Sequence, residues 1–249
     1  MDIIEKPIFV FGCCNSGTTI LWQALKSHYG LSGPNIEDQD IEGMPTSMQH
    51  WLGKKTFRLW AHPKFGLCYY STESGNNTED TLKLQEVYRR FLIPNTRLIV
   101  KSPAHTLRAR LIQSYFPDAY FVAIVRNGYA VTEGIRRKRK YDPDRPQFQG
   151  LLTTINEAAE QWFRANVVIL SHQSFLRKYL VVQYEDLVKK PRETLHKILD
   201  HCDLSQTGFS VPNFRKGENE KQIARLTKEE VDTITRIAGP MLYHFGYDK

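Results

Sequence analysis

Gly12 and Gly17 stand five positions apart in FGCCNSGTTIL, residues 11–21. That spacing suits a turn whose backbone N–H groups close around a phosphate where a helix begins. In a nucleotide triphosphatase the second glycine is followed by lysine and then by serine or threonine. Here Thr18 and Thr19 take those two places. The loop therefore offers the N–H groups of Ser16, Gly17, Thr18 and Thr19, with three hydroxyls, and no ammonium to span a β,γ-phosphate pair. Two further apolar runs end on a cation: Lys101 follows Val100, and Arg126 follows Val125. Metal-assisted phosphoryl transfer asks for a carboxylate at such a position, because it must hold Mg²⁺. Both residues have the opposite sign. The pattern points to a compact anion neutralised by side chains at a metal-free site.

These residues need elements to bring them together. Residues 7–12 form a short apolar run ending in glycine, the mark of a buried strand. Residues 18–29 read as a helix, with Ile20, Leu21, Ala24, Leu25 and His28 at helical spacing and Gly30 as its stop. Further strands are expected over 97–101, 119–125 and 179–183, and further helices over 81–91, 104–115, 129–139, 151–175, 193–202 and 227–244. Thr227 and Glu230 have the spacing of a capping box. Strands alternating with helices predict an α/β fold, three layers deep (α/β/α), with a central parallel sheet and P-loop-like first turn. Ligands of such sheets bind at the carboxyl ends of the strands, so 12–19, 101–105 and 126–128 should face one site. The whole of 1–249 is read as a single domain. Within it, 31–77 is polar and turn-rich and carries Trp51, Trp60, Tyr69 and Tyr70, which suits a lid or an acceptor-site insertion.

Composition narrows the function classes. Apolar residues make up 41% and charged residues 24% of the 249, as in globular proteins that fold in water. No run approaches the ~20 apolar residues of a membrane span. The amino-terminal residues lead almost directly into a strand, so no signal peptide is read and a cytoplasmic setting is expected. The net charge of +7 favours anionic partners. Cys13, Cys14, Cys68 and Cys202 have neither the spacing nor the histidine company of a zinc site. The basic run Arg136-Arg137-Lys138-Arg139-Lys140 has no nucleic-acid-binding motif around it. It reads first as a solvated helix end and second as a rim that steers an anion. No nucleic-acid partner is expected.

Several separated segments, in order, resemble sulfotransferases that use 3′-phosphoadenosine 5′-phosphosulfate (PAPS). CCNSGTT (13–19) is similar to that family's 5′-phosphosulfate loop, K/R-S-G-T-T/S. VKSPAH (100–105) resembles its K-T/S-P-x-H or K-T/S-H segment, and AIVRNGYAV (123–131) its 3′-phosphate segment V-R-N/D-P-R-D/A-V. VVQYEDLVKKP (181–191) resembles its late Y-E-D-L-x-x-x-P signature, and Arg215-Lys216-Gly217 the R-K-G segment that closes on the 3′-phosphate. Three departures stand out. Asn15 occupies the loop position that is usually Lys or Arg, Gly128-Tyr129 replaces Pro-Arg, and Gly134 stands where a serine is expected.

The resemblance implies roles. Asn15, Ser16, Gly17, Thr18 and Thr19 would take the phosphosulfate. Arg126 would take the 3′-phosphate by paired hydrogen bonds, with Arg215 and Lys216. Thr132 would replace the missing serine after a local shift. With Asn15 in the loop, Lys101 is the first candidate to neutralise the leaving phosphate. The base that takes the acceptor's proton is placed at Glu37 ahead of His105, with Glu42 behind them in the same acidic segment as Asp38 and Asp40. The expected reaction moves a sulfuryl group from PAPS to a hydroxyl or amine of a small-molecule, glycan or lipid acceptor. A P-loop nucleotide kinase or hydrolase, and a nucleotide-binding protein without catalysis, are the alternatives. Trp51, Trp60, Tyr69 and Tyr70 fit an aromatic acceptor platform or the packing of the insertion equally well.

Overall fold

The computed structural model describes residues 3–48, 59–62, 71–138 and 153–247. Cys68, Trp51, Tyr69, Tyr70, Arg139, Lys140 and the start of the helix expected from residue 151 lie outside them. Five strands form the sheet: β1 (Ile8–Phe11), β2 (Leu31–Ser32), β3 (Arg97–Lys101), β4 (Tyr120–Val125) and β5 (Tyr179–Gln183). Their order is β2-β3-β1-β4-β5, and every pairing is parallel. This is the expected α/β sheet, with β2 added at one edge.

The register of β1 explains the layers. Successive strand side chains face opposite ways. Phe9 and Phe11 join one core, in which Phe9 stacks on Phe121 at 5.9 Å and Phe11 on Tyr179 at 6.1 Å. Ile8 and Val10 join the other, with Leu21, Leu25, Leu195 and Ile198. Helices α1 (Thr18–Lys26) and α7 (Pro191–His201) cover this second face. The first face is covered by α2 (Thr78–Arg89), α3 (Ala109–Tyr115), α4 (Gly128–Lys138), α5 (Ile155–Ser171) and α9 (Lys228–His244). Burying one such aromatic contributes about 1.5–3 kcal/mol, so β1, buried on both faces, anchors both layers.

The helix boundaries have local causes. Helix α1 stops at Lys26 rather than residue 29; His28 is buried and turns its Nδ1 to accept from the Gly30 N–H at 2.9 Å. The helix expected from residue 104 begins instead as a 3-10 turn, Pro103–Leu107. It becomes α-helical only beyond Arg108, which donates Nη1 to the Met48 carbonyl at 2.6 Å. Helix α5 opens on a capping box in which Thr154 accepts from the Glu157 N–H, and it ends at Ser171, short of residue 175. Thr154-x-x-Glu157 is a start signal present in the sequence and passed over there. The Thr227–Glu230 capping box at α9 forms as expected. The short helix α6 (Tyr184–Lys189) falls within the 181–191 segment that resembles the family's strand–helix signature, whereas α8 (Glu218–Ile223) was not anticipated. Among the described residues no helix is long and apolar enough to cross a membrane.

Candidate active site

Strand order builds the site. β1 lies between β3 and β4, so the turn after Phe11, the end of β3 at Lys101 and Arg126 after β4 stand side by side. Gly12 passes so close to β4 that a Cβ there would sit 2.3 Å from the Ile124 carbonyl oxygen. Asn15 (φ 66°) and Gly17 (φ 95°) adopt left-handed backbone, and a Cβ on Gly17 would strike the Tyr184 ring at 2.6 Å. Asparagine and glycine are the residues that tolerate this region best. Gly17 is the N-cap of α1, so the first N–H groups of that helix have no carbonyl partner within it.

These groups open onto a cavity of about 460 Å³ whose wall includes Asn15, Thr18, Thr19, Glu37, Arg126 and Arg137. Ser16 is fully buried, and its Oγ has no hydrogen-bond partner. Arg126 is 6% exposed. It donates Nε to Asn219 Oδ1 (2.8 Å) and Nη1 to the Asn15 carbonyl (2.9 Å), and lies 4.3 Å over the Tyr184 ring. Its Nη2 has no hydrogen-bond partner. Burial lowers the Arg126 pKa, opposed by Tyr184, Glu185 and Glu218 around it. A guanidinium stays charged through such a shift, so the site keeps a fixed cation with a spare donor.

On the β3 side, Lys101 Nζ donates to Glu37 Oε1 at 2.5 Å. Glu37 Oε2 accepts from Gln39 Nε2 at 2.6 Å, and Gln39 Oε1 accepts from Ser102 Oγ at 2.5 Å. Both oxygens of Glu37 are thus oriented from consecutive residues at the end of β3, one directly and one through Gln39. Lys101 is 7% exposed at its side chain and Glu37 22%, and Glu37 reaches the cavity wall.

His105 has another setting. It is fully buried; Nε2 lies 2.9 Å from Asp38 Oδ2, and its ring meets Phe9 edge-on at 5.6 Å. Asp38 also accepts from Tyr88 OH at 2.9 Å. Burial works to raise the Asp38 pKa, but His105, Tyr88 and Arg108 outweigh it and hold the carboxyl below its ordinary range. This cluster faces the core and is not part of the cavity wall, which argues against His105 as the base. Glu42 is exposed and away from that wall; its carbonyl accepts from Arg90 Nη2.

The remaining sequence candidates divide. Thr132 is buried in α4 behind the wall, with Oγ1 unpartnered. Arg215 and Lys216 line a neighbouring hollow of about 250 Å³ that shares Tyr184 and Glu218 with the main cavity. Trp60 is no open platform: it is 1% exposed, and its Nε1 donates to Cys14 Sγ at 3.1 Å. In the described part of the basic run Arg136 is half-buried and pairs with Glu230, while Arg137 is exposed, as a solvated helix end would be, and pairs with Glu133. Gln39, Asn219, Gln222 and Glu218 went unnoticed in the sequence. They come from loop and short-helix segments with no periodicity to mark them.

A parallel sheet whose central strand runs into a glycine-bearing turn at a helix N-terminus, flanked by Lys101 and Arg126 at the adjoining strand ends, has the geometry and charge to suit an anionic ligand. The sequence matches the sulfotransferase family over residues 7–208, and the chain belongs to that family. It is similar to an omega-hydroxy-beta-dihydromenaquinone-9 sulfotransferase of Mycobacterium bovis, 24% identical, covering 99% of this chain and 76% of the relative. A protein-tyrosine sulfotransferase of Drosophila melanogaster is 27% identical over 80% of this chain and 38% of its own length. The sulfotransferase domain of the Synechococcus PCC 7002 olefin synthase shares the fold, with a TM-score of 0.56 at 21% identity over 98% and 97% of the two chains. The protein is accordingly a sulfotransferase.

Proposed function

We propose that the donor is PAPS and that Lys101 and Glu37 carry the transfer to a hydroxyl or amine of a small-molecule, glycan or lipid acceptor. The observation that carries this reading is the direct Lys101–Glu37 pair at the cavity beside the phosphate loop. A cation and a carboxylate are what in-line sulfuryl transfer requires of side chains. Glu37 takes the acceptor's proton as the acceptor oxygen or nitrogen bonds to sulfur. The sulfur–oxygen bond to the 5′-phosphate breaks, its electron pair stays on the phosphate oxygen, and Lys101 neutralises that charge. The same ammonium that holds Glu37 Oε1 before the donor arrives is drawn to the donor, which releases the carboxylate to act as base. Ser16, Gly17, Thr18 and Thr19 hold the phosphosulfate, while Arg126 takes the 3′-phosphate with its spare Nη2. No metal has a role in this scheme.

The 31–77 segment, which supplies Glu37 and Gln39, is the acceptor side of the site in this reading. A cytoplasmic setting belongs to the same reading and agrees with the free thiols of Cys13 and Cys202. Calorimetric titration with adenosine 3′,5′-bisphosphate, against ATP with Mg²⁺, tests the donor. Metal-independent binding of the bisphosphate with little ATP binding is expected; preference for Mg²⁺-ATP would overturn the assignment. Arg126→Ala should weaken the bisphosphate far more than adenosine 5′-phosphate, and equal loss for both would remove its 3′-phosphate role.

A further inference from the structure

Arg137 stands on α4 three residues beyond Gly134, on the same face of the helix, and both line the main cavity. Among the described residues, Arg126 and Arg137 are the two cations in that wall, which also holds the carboxylates of Glu37 and Glu218. Asn15 contributes no charge, and Lys101, which pairs with Glu37, is not part of that wall. Without Arg137, Arg126 would be the one described cation of this wall facing a donor with phosphate groups at both ends. Gly134 is packed closely by two other residues of the wall: a Cβ there would lie 3.3 Å from Gln222 Oε1 and 3.4 Å from Asn15 Cγ, so a larger side chain fits only if one of them gives way.

Arg137 is also held. Its Nε lies 3.1 and 3.4 Å from the two oxygens of Glu133, whose side chain is 2% exposed. Arg225 Nη1 approaches the same carboxylate at 3.7 Å from outside the cavity wall. An arginine held through Nε keeps both terminal nitrogens for a ligand, in the planar fork that matches phosphate.

Resting on the PAPS reading above, we infer that Arg137 is a donor-binding residue that grips the 3′-phosphate together with Arg126. It replaces the hydroxyl that Gly134 lacks, and Glu133 is its positioning residue.

The test is calorimetric binding of adenosine 3′,5′-bisphosphate and of adenosine 5′-phosphosulfate, which has no 3′-phosphate. It is run on the unaltered protein and on Arg137→Ala, Arg137→Lys and Arg225→Ala. A charge-assisted contact of this kind corresponds to about 10- to 100-fold in affinity. Arg137→Ala should lose that much for the bisphosphate and change little for the phosphosulfate. Arg137→Lys should recover part of the loss, and Arg225→Ala should leave both ligands as they were. Equal weakening of both ligands, an unaffected Arg137→Ala protein, or an equal loss in Arg225→Ala would overturn the inference while the donor assignment stands. If the unaltered protein binds neither ligand, the donor assignment fails and this inference with it. Should Arg137→Ala fail to fold, Arg137→Lys carries the test. A selective loss of threefold or more for the bisphosphate supports the fork, and an unchanged affinity overturns it.

Discussion

Lys101 Nζ sits 2.5 Å from Glu37 Oε1, joining the end of β3 to a loop 64 residues earlier in the chain. The pair ties a buried cation to a carboxylate that lines the cavity, so each holds the other in place. Lys101→Ala should lower turnover by orders of magnitude while adenosine 3′,5′-bisphosphate still binds. Glu37→Gln should lower kcat by about 10²- to 10⁴-fold, the range of general-base catalysis, with binding preserved. Steady-state rates with unchanged bisphosphate affinity would check both; full activity in either variant removes that residue from the mechanism.

Gln39 links Glu37 to Ser102. Replacing it with alanine leaves the Lys101 contact and frees Oε2 to rotate. Such an effect on orientation should reduce kcat by roughly tenfold with little change in KM. A rise in KM alone would mean that Gln39 acts on the acceptor rather than on the base.

The buried Asp38–His105 pair should respond as structure rather than as catalyst. His105→Ala leaves the Asp38 carboxylate in the core with Tyr88 and Arg108 but without its imidazole. Breaking such a pair costs about 3–5 kcal/mol. Urea denaturation should show a loss on that scale, and the protein that remains folded should keep a kcat within a few-fold. A collapse of kcat without loss of stability would return His105 to the role of base.

Gly128 opens α4 against Trp162 and Leu242; a Cβ there would lie 3.0 Å and 2.8 Å from those side chains. Trp162 is fully buried and donates Nε1 to the Arg126 carbonyl at 3.0 Å. Overpacking costs typically 1–3 kcal/mol. Gly128→Ala should therefore lower the unfolding midpoint and, through Trp162, weaken bisphosphate binding. A midpoint equal to the unaltered protein's would show that the Trp162 pocket has slack.

Acid should destabilise the fold through His172. Burial lowers its pKa to about 4, and its ring bonds the Thr106 carbonyl at 2.7 Å. The unfolded chain binds this proton near pH 6.5 and the folded chain only near pH 4, so stability falls as pH drops between those values. The full effect is on the order of 3 kcal/mol. Urea titrations from pH 7 to 4.5 should show the decline, and His172→Phe should flatten it. An equally steep decline in that variant would shift the cause to another group.

Much of the fold was legible because its signals are local. The apolar runs at 7–12, 97–101 and 119–125, each leading into the loop or a cation, announced parallel strands and a shared site, and the structure has them side by side. The boundaries at Lys26, Ala109 and Ser171 were not legible. They depend on His28 capping Gly30, Arg108 reaching Met48 and the turn at His172, contacts whose partners are set by packing.

The candidate site divides in the same way. The residue types and spacing of the loop, with Lys101 and Arg126 after their strands, follow from the sequence alone, because a turn's backbone geometry and a strand's end are short-range properties. Glu37 and His105 both lie near the site in sequence logic, and only the tertiary structure gives them different surroundings. Folding buries His105 beside Asp38 and leaves Glu37 at the cavity wall. Arg137 reads as surface charge in the sequence and stays exposed in the structure; its i,i+4 partner Glu133 is a matter of helical spacing, but the burial of Glu133 and the place of Arg137 on the cavity wall exist only once α4 is packed.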